Sequence, residues 1–268
     1  MRRSTLPEPA AAAATKAELQ RLRALVRERD ARDAEGVFVC EGPRVIAAAL
    51  DHGAELLECF VGDGASTEIE AVARRCAGAG VTLHRLDAAA VARIGDTKTP
   101  QPLFAVARRP RRGLEALAGA GLAIVVVAVN DPGNAGTLLR SAAAAGVEVL
   151  VLGPGSVDAY NPKVVRASAG ACFAVGIVEG VPAVDILEAL GADGVHRLGA
   201  VAHGGAAPER VDLGQRIAFV LGHETRGLDP GLPLDGYVTI PMHAGESINL
   251  AMAGTVLAFE AARQRRAR

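Results

Sequence analysis

The most informative segment of the chain is Ile240-Pro241-Met242-His243-Ala244-Gly245-Glu246-Ser247-Ile248-Asn249-Leu250-Ala251-Met252-Ala253. A strand-like stretch ends at Pro241, a short loop containing Gly245 follows, and a helix is predicted over residues 247–263. Serine is a preferred N-cap, because its hydroxyl accepts a hydrogen bond from an otherwise unpaired helix N–H. Taken alone, the segment is therefore typical of a surface helix capped by Ser247. Two similar strand-to-loop junctions lie upstream, and the three together indicate a pocket.

The composition indicates a soluble globular protein of one large or two small domains. The 268 residues are 50% hydrophobic and 22% charged, which provides ample core for that length. The formal net charge is −1, so any nucleic-acid partner must be held by a local basic patch. Aromatic residues make up only 3% of the chain and tryptophan is absent, which argues against a base-stacking platform.

Cysteine spacing and hydropathy favour a cytoplasmic location. The 4 cysteines lie far apart and form no CxxC pair, so neither a zinc site nor a disulfide framework is expected. The 6 histidines are scattered without ligand spacing, and we expect no metal. The most apolar run, Leu122–Val129, is too short to span a bilayer, and the N-terminus lacks the apolar core of a signal peptide. We therefore expect no membrane partner.

The first part of the chain predicts a leader, a basic helix and a small α/β domain. Residues 1–14 are expected to be a disordered leader, and residues 16–33 a helix whose arginines face either solvent or RNA phosphates, so that 1–35 form one segment. Residues 36–107 alternate apolar strands with alanine-rich helices, as in a small α/β domain. The strands are predicted at Val37–Val39, Leu56–Val61, Val81–Arg85 and Leu103–Ala107, and the helices at 43–51, 67–78 and 88–94.

Two polar stretches follow that pattern. The proline-punctuated loop 95–102 either presents Lys98 to a ligand or merely turns the chain. Residues 108–121 are predicted to be a linker, and they carry Arg108, Arg109, Arg111 and Arg112. A run of charge is usually solvated, but a basic hinge is also suited to holding a phosphate backbone.

Residues 122–268 predict a second α/β domain with a parallel sheet. Leu122–Val129 is a continuous apolar run, as expected for a strand that is buried on both faces. Further strands are predicted at Val147–Leu152, Phe173–Ile177, Arg197–Ala202, Ile217–Leu221 and Tyr237–Ile240, and helices at 136–145, 162–169, 183–190 and 247–263.

The first junction, residues 130–140, follows the buried strand. Asp131-Pro132-Gly133 predicts a tight loop at the carboxyl end of a strand, where ligands bind in open α/β sheets. Asn134 either caps the next helix or points into the crevice. Arg140 is expected early in that helix among alanines, without an obvious structural partner, and this favours a functional role.

The second junction, residues 219–228, ends a strand in Leu221-Gly222 and reaches another glycine at Gly227. Gly222 is expected to let the backbone approach a flat ligand closely. Glu224 is expected to bind a ribose hydroxyl, to hold Arg140 or to cap a local turn. Three junctions of this kind should converge at one crevice.

Other ligand-binding templates do not match the sequence. It contains no G-x-G-x-x-G followed by an acidic residue and no P-loop pattern, so neither nucleotide-binding fold is supported. Gly245-Glu246-Ser247-Ile248-Asn249 is not G-x-S-x-G, which argues against a hydrolase elbow.

The three junctions resemble, in order, the three motifs of the SpoU/TrmH branch of the SPOUT RNA 2′-O-ribose methyltransferases. The matching patterns are Asn134-x5-Arg140, Leu221-Gly222-x-Glu224-x2-Gly227-Leu228 and Ile240-Pro241-Met242-x4-Ser247-Ile248-Asn249-Leu250. The resemblance covers most of residues 122–264, and Tyr160–Gly170 is similar to a segment that recurs between the first two motifs. Residues 36–107 are similar to the substrate-binding domain of the ribosomal-RNA members. Ile248 departs mildly from the commoner leucine.

The resemblance implies an α/β trefoil knot in residues 122–268, a feature that no periodicity reveals. It implies S-adenosylmethionine as the cofactor, without a metal. The implied cofactor-binding residues are Leu221, Gly222, Gly227, Ile240, Met242, Ile248 and Leu250. The implied reaction is methylation of a ribose 2′-hydroxyl by a homodimer, with 23S ribosomal RNA as the leading substrate. The 2′-hydroxyl restricts the substrate to RNA and excludes DNA.

Catalytic roles are implied for Arg140, Asn134, Glu224, Ser247 and Asn249. The methyl group of the cofactor is already a strong electrophile, so the protein mainly has to align an in-line attack. We expect Arg140 to hold the target phosphate and ribose rather than to act as a general base, because a guanidinium barely deprotonates in proteins. The other four residues are expected to orient Arg140 and the ribose.

The resemblance also directs attention to basic residues along the chain as RNA contacts. These predicted contacts are Arg44, Lys98, Arg111, Arg112, Lys163 and Arg166. Two alternatives stay open at this point. A transfer-RNA target is disfavoured by the N-terminal domain, and a non-catalytic ribosome assembly factor is disfavoured by the complete set of motif residues.

Overall fold

The computed structural model describes residues 11–95, 100–223 and 226–268. Two compact units divide the chain after Pro110, and the short segment Tyr160–Pro162 belongs to the first unit rather than the second. Both units combine helices with a β-sheet, which confirms the predicted α/β class. The trefoil knot stays a prediction.

The first unit contains a mixed sheet. Its strands are β1 (Ala12–Ala13), β2 (Val37–Glu41), β3 (Leu56–Gly62), β4 (Thr82–Leu86) and β5 (Leu103–Arg108). They lie in the order β1-β4-β3-β5-β2, and β5 runs antiparallel to both of its neighbours. The expectation of a disordered leader is wrong for β1, since Ala12 and Ala13 pair in parallel with His84 and Arg85.

The helices of the first unit correct the prediction of one basic helix. They are α1 (Lys16–Arg27), α2 (Arg29–Glu35), α3 (Pro43–Asp51), α4 (Thr67–Gly78) and α5 (Ala88–Ile94). The chain turns between α1 and α2, because Glu28 has an extended backbone (φ −115°, ψ 122°). Arg32 is only 2% exposed and donates hydrogen bonds to the carbonyls of Leu25 and Glu28, while Arg21 pairs with Glu35. Arg21 and Arg32 therefore stabilise this unit.

The second unit contains a parallel sheet that matches the prediction. Its strands are β6 (Leu122–Val126), β7 (Val149–Leu152), β8 (Gly176–Glu179), β9 (His196–Ala200), β10 (Ile217–Leu221) and β11 (Gly236–Val238). Its helices are α6 (Pro132–Ala145), α7 (Pro162–Ser168), α8 (Ala183–Ala192) and α9 (Leu250–Arg266). The strands lie in the order β11-β9-β10-β6-β7-β8, and every neighbouring pair is parallel.

Both faces of the second sheet are covered, as its continuous apolar strands indicated. One face packs against Ile186, Leu187 and Leu190 of α8. Helix α9 packs against β10 and against α6. Strand β8 begins later than predicted, because residues 171–173 form a 3-10 turn before it.

The predicted linker also has structure. Arg108 ends β5, residues 114–117 form a 3-10 turn, and Leu117 and Ala120 are buried in the core of the second unit. Among the described helices, none combines the length and the apolar character that crossing a bilayer requires.

Candidate active site

A cavity of about 390 Å³ opens at the carboxyl edge of the second sheet. Strands β9 and β10 are parallel and in register, with Ala200 opposite Leu221, so the loops that follow them leave the sheet side by side. The crevice outside the carboxyl ends of parallel strands is the usual ligand site in such sheets. The predicted cofactor residues all lie in its wall: Leu221, Gly222, Gly227, Ile240, Met242, Ile248 and Leu250.

The loop after β10 closes on itself as a narrow hairpin. The backbone N–H of His223 donates to the carbonyl of Gly227 at 2.9 Å, and the reverse bond has the same length. A Cβ on Gly222 would lie 2.6 Å from the backbone nitrogen of Leu228 and closer still to the carbonyl of Gly227. Gly222 must lack a side chain because its backbone lies against that of Gly227 and Leu228. Gly222 also lines the cavity, and its predicted approach to a flat ligand stays a prediction. Glu224 lies outside the described residues.

The helix that follows the third junction starts later than predicted. Helix α9 begins at Leu250, and Asn249 is its N-cap, because the Asn249 side-chain oxygen accepts from the N–H groups of Ala251 (2.8 Å) and Met252 (3.3 Å). The prediction that Ser247 caps the helix is therefore wrong. Ser247 is exposed and lies in the cavity wall.

The helix that follows the first junction starts earlier than predicted. Helix α6 begins at Pro132, and the carboxylate of Asp131 accepts from the N–H of Asn134 at 2.7 Å. Asn134 is therefore in the first turn and is not the cap. Its side-chain oxygen accepts a 2.9 Å hydrogen bond from the side-chain amide of Asn249. This bond joins the first junction to the third.

Arg140 lies apart from the cavity wall. It is on α6, roughly two turns beyond the N-terminus of the helix rather than early in it. Its guanidinium is exposed and makes no hydrogen bond or ion pair to any described residue. The structure thus gathers the predicted cofactor residues with Ser247, Asn249 and Asn134, and it leaves Arg140 facing solvent on the adjoining helix.

The wall formed by β9 and β11 is supported by an ion pair. The guanidinium of Arg197 on β9 donates two hydrogen bonds, of 2.8 and 2.6 Å, to the carboxylate of Asp235, which immediately precedes β11. The backbone N–H of Arg197 donates to the same carboxylate at 2.8 Å. The hydrogen bonds from the Arg197 side chain, assisted by that N–H, lower the pKa of Asp235 to about 2. The pair keeps β11 against β9.

Sequence reasoning missed part of the cavity wall. The missed residues are Ala200, Val201, Ala202, His223, Val238 and Ala253. Val201 follows β9, and its loop returns to β11, where the N–H of Gly205 donates to the Thr239 hydroxyl at 2.9 Å. Strand β9 ends at Ala200, and Gly204 and Gly205 follow within five residues. Glycines soon after the end of a strand are the same signal that marked the second junction.

The predicted RNA contacts are dispersed. Arg44 is exposed in the first turn of α3, and Lys163 is exposed on α7, where Arg166 is half-buried. Arg111 and Arg112 are exposed before the 3-10 turn of residues 114–117. Arg112 lines a second cavity of about 280 Å³ beside Val149 and Gly176, where β7 and β8 begin, which is the opposite edge of the sheet. Lys98 lies outside the described residues.

Comparisons with known proteins agree with this arrangement. Residues 121–259 match the model of the SpoU rRNA Methylase family, and residues 16–105 match the MRM3-like substrate binding domain. The chain is 31% identical over 232 residues to the Bacillus subtilis (strain 168) protein named 23S rRNA (guanosine(2553)-2′-O)-methyltransferase RlmP, covering 85% of this chain and 89% of that one.

A second relative and a solved structure show the same likeness. The Xanthomonas axonopodis pv. citri (strain 306) protein named 23S rRNA (guanosine-2′-O-)-methyltransferase RlmB is 34% identical over 240 residues, covering 84% of this chain and 95% of that one. The SpoU methyltransferase AviRb from Streptomyces viridochromogenes, solved in complex with the cofactor AdoMet, aligns with a TM-score of 0.83 at 25% identity over 94% of this chain and 100% of that one. The protein studied here belongs to the SpoU rRNA methylase family.

Proposed function

We propose that this protein methylates a ribose 2′-hydroxyl in 23S ribosomal RNA with S-adenosylmethionine as the methyl donor. The observation that carries the proposal is the hydrogen bond between Asn134 and Asn249. Asn249 lines the cavity, so this bond connects the motif residue of α6 to the motif residues around the cavity. The names of the relatives from Bacillus subtilis and Xanthomonas axonopodis support 23S ribosomal RNA as the substrate.

The chemistry of the cavity suits S-adenosylmethionine. Its volume of about 390 Å³ lies in the range of small-molecule sites. Apolar side chains of Val201, Ile240, Ile248 and Leu250 offer surfaces for an adenine ring, and the lining glycines Gly222 and Gly227 carry backbone donors and acceptors for its edge. The related protein AviRb was solved in complex with AdoMet, which supports the same cofactor here.

The proposed reaction makes limited demands on the protein. When bound, S-adenosylmethionine would supply an electrophilic methyl group for transfer to the ribose oxygen. The protein must align the ribose, exclude competing water and favour loss of the hydroxyl proton. Asn134, Asn249 and Ser247 are proposed to hold the sugar at the cavity mouth, with Glu224 assisting. Arg140 is proposed to bind the neighbouring phosphate as a fixed cation, because a guanidinium is a poor base.

Each unit is proposed to contact RNA through its own cations. In the first unit, the match to a substrate-binding domain supports contact through Arg44 and Lys98. In the second unit, Lys163 and Arg166 lie on α7, which packs tightly on α6: a Cβ on Gly136 would lie 2.9 Å from the carbonyl of Val164. Arg111 and Arg112 would contact the phosphate backbone farther from the reacting ribose. Each such contact adds salt-dependent affinity.

A homodimer is proposed on the strength of one exposed face of α9. Met252, Val256 and Phe259 are 49%, 44% and 42% exposed and follow one another at helical spacing. An apolar stripe beside a substrate site marks an interaction surface, and a second copy of this chain is its proposed occupant. A cytoplasmic location is proposed as well, since the four cysteines are free thiols in the interior.

The direct test is methyl transfer to RNA in vitro. Purified protein is incubated with tritiated S-adenosylmethionine and with 23S rRNA, transfer RNA or DNA of matched length, and the product is digested to nucleosides for mass spectrometry. We expect a 2′-O-methylated nucleoside from 23S rRNA alone. Tritium in transfer RNA alone would show that transfer RNA is the substrate instead of 23S rRNA. Binding of the cofactor without methyl transfer to any nucleic acid would contradict the proposed activity.

A further inference from the structure

Among the described residues, side-chain hydrogen bonds join α6 to α9 at two places. The first is the bond between Asn134 and Asn249 at the mouth of the cavity. The second lies about two turns farther along α6, where the hydroxyl oxygens of Ser141 and Thr255 are 2.6 Å apart. No catalytic or binding role assigned so far involves Ser141 or Thr255.

The two helices approach closely between these bonds. A Cβ on Gly254 would lie 2.6 Å from Cδ1 of Leu138 on α6 and 2.9 Å from Cδ1 of Leu221 on β10. The absence of a side chain at residue 254 therefore lets α9 pack against both elements at once. Leu221 and Ala253 also line the cavity, so the contact between the helices is continuous with the cavity wall.

The two hydroxyls form a short chain of hydrogen bonds, which depends on the distance between α6 and α9. The Thr255 hydroxyl is 2.7 Å from the carbonyl of Ala251, and the Ser141 hydroxyl is 3.1 Å from the carbonyl of Thr137. Each hydroxyl has one hydrogen to donate and can accept in return. One hydrogen therefore bridges the helices while the other binds a backbone carbonyl, and either arrangement ties α6 to α9.

The bond between Ser141 and Thr255 lies next to Arg140 in the chain. Arg140 makes no hydrogen bond or ion pair to the part of the chain that the structure describes, so its backbone position depends on the placement of α6. The N-terminal turn of α9 contributes Asn249, Leu250 and Ala253 to the cavity wall. We infer that Ser141 and Thr255 are positioning residues, whose hydrogen bond holds Arg140 at a fixed place relative to the methyl-donor cavity. This inference rests on the proposed function.

The variant Thr255→Val tests the inference, because it removes the hydroxyl and keeps a similar shape. We expect kcat for methyl transfer to fall about tenfold while KM for S-adenosylmethionine stays within about twofold, since misplacement of a positioning group affects the aligned attack. Thr255→Ser should restore most of kcat. Ser141→Ala should cause a similar loss, and the double variant should lose little more than either single variant.

The matched control is Thr137→Val. It makes the same chemical change as Thr255→Val, but on α6, about one turn from Arg140. The Thr137 hydroxyl forms no hydrogen bond among the described residues. We expect its kcat to stay within about twofold of the wild type, because no link between the helices is lost. An equal fall in kcat for Thr137→Val and Thr255→Val overturns the inference, and so does a Thr255→Val variant with unchanged kcat.

Amide hydrogen exchange provides a readout that does not require activity. In Thr255→Val we expect faster exchange for residues 138–142 of α6, with the amides of α8 unchanged as an internal reference. If the wild type transfers no methyl group to RNA, the proposed function fails, and the exchange result still judges the link between the helices. Unchanged exchange in α6 shows that the hydroxyl pair does not hold this helix, and it overturns the inference by itself.

Discussion

The side-chain amide of Asn249 donates a 2.9 Å hydrogen bond to Oδ1 of Asn134, although 115 residues separate them in the chain. The same side chain accepts from the N–H groups of Ala251 and Met252 and so caps α9. Only a group with both a donor and an acceptor can do both at once, and a carboxamide has this property. Asn249 therefore links the start of one helix to the start of another.

Replacing Asn249 by aspartate separates these two tasks. Asn249→Asp keeps an acceptor for the cap and adds a negative charge that a helix N-terminus favours, but the carboxylate cannot donate to Asn134. We expect the thermal unfolding midpoint to stay near that of the wild type while methyl transfer falls at least about tenfold. Asn249→Ala should in addition lower the free energy of unfolding by about 1 kcal/mol. Full activity in the aspartate variant would contradict the proposed role of the bond.

Arg140→Lys tests whether the fork of the guanidinium matters beyond its charge. Lysine keeps the positive charge but cannot bind a phosphate through two parallel N–H groups. We expect kcat to fall about a hundredfold, with an unchanged dissociation constant for S-adenosylmethionine, because Arg140 is not in the cavity wall. Arg266→Lys, an exposed position near the end of α9, is the control. A weaker cofactor affinity with normal kcat is the contrary outcome.

Gly222→Ala should displace the backbone that forms part of the cavity wall. The added methyl group would collide with the backbone of Gly227 and Leu228, which cannot yield as a flexible side chain would. We expect a loss of stability of about 2 kcal/mol or more and loss of cofactor binding by calorimetry. Gly231→Ala is the control, since its Cβ would meet nothing closer than Asp229 Oδ1 at 3.4 Å. Normal binding by Gly222→Ala would show that the hairpin tolerates displacement.

Val256→Glu tests the proposed dimer. A carboxylate in the centre of the apolar stripe of α9 would have to be desolvated in the interface, at a cost that a side chain in water does not bear. We expect sedimentation equilibrium to show a dimer for the wild type and a monomer for this variant. Val184→Glu is the matched control, because Val184 on α8 is 42% exposed and Val256 is 44% exposed. A dimeric Val256→Glu protein would locate the interface elsewhere.

Asp235→Asn should change how stability depends on pH. Arg197 lowers the pKa of Asp235 to about 2, so the ion pair stabilises the folded protein at a pH above the unfolded-state pKa near 4. The contribution is lost as the pH falls from about 4 towards 2. The Asp235 side chain is 30% exposed, so we expect about 1 kcal/mol at neutral pH. The free energies of unfolding of the wild type and of Asp235→Asn, measured in urea across this pH range, should converge as the pH falls. An undiminished difference between the two free energies at pH 2 would exclude this ion pair as its cause.

The positions of the loops were predictable from sequence because glycine and proline mark them directly. The strand ends at Leu221 and near Ile240 came from apolar runs that stop at such residues, and their loops do meet at one cavity. The exact helix starts were not predictable in the same way. Several residues near each start can cap a helix, and which of them does so depends on tertiary contacts with residues far away in the chain.

The start of α6 shows which local signal was overlooked. Proline has no N–H and a fixed φ, so it suits the first helical position, and Asp131 before Pro132 is then the natural cap. At α9, Ser247 and Asn249 are both good caps in isolation. The bond from Asn249 to Asn134 gives asparagine a second partner in the folded protein, and sequence spacing does not contain that information.

Two other features depended on packing rather than on pattern. The arginines of α1 and α2 read as a charged face, yet Arg32 is enclosed because it satisfies the carbonyls where α1 ends. The reversed direction of β5 also left no trace in its apolar run, since a buried antiparallel strand and a buried parallel one have the same composition.

Among the residues that the structure describes, the walls of the cavity come from residues 200–253, which follow the whole of the first unit in the chain. A nascent polypeptide that has emerged only as far as β10 lacks Ile240, Asn249 and Ala253, and therefore lacks one side of the pocket. Such a chain has no complete place for a methyl donor, however well its first unit has folded. A premature stop codon anywhere before α9 would consequently leave a translation product without affinity for the donor.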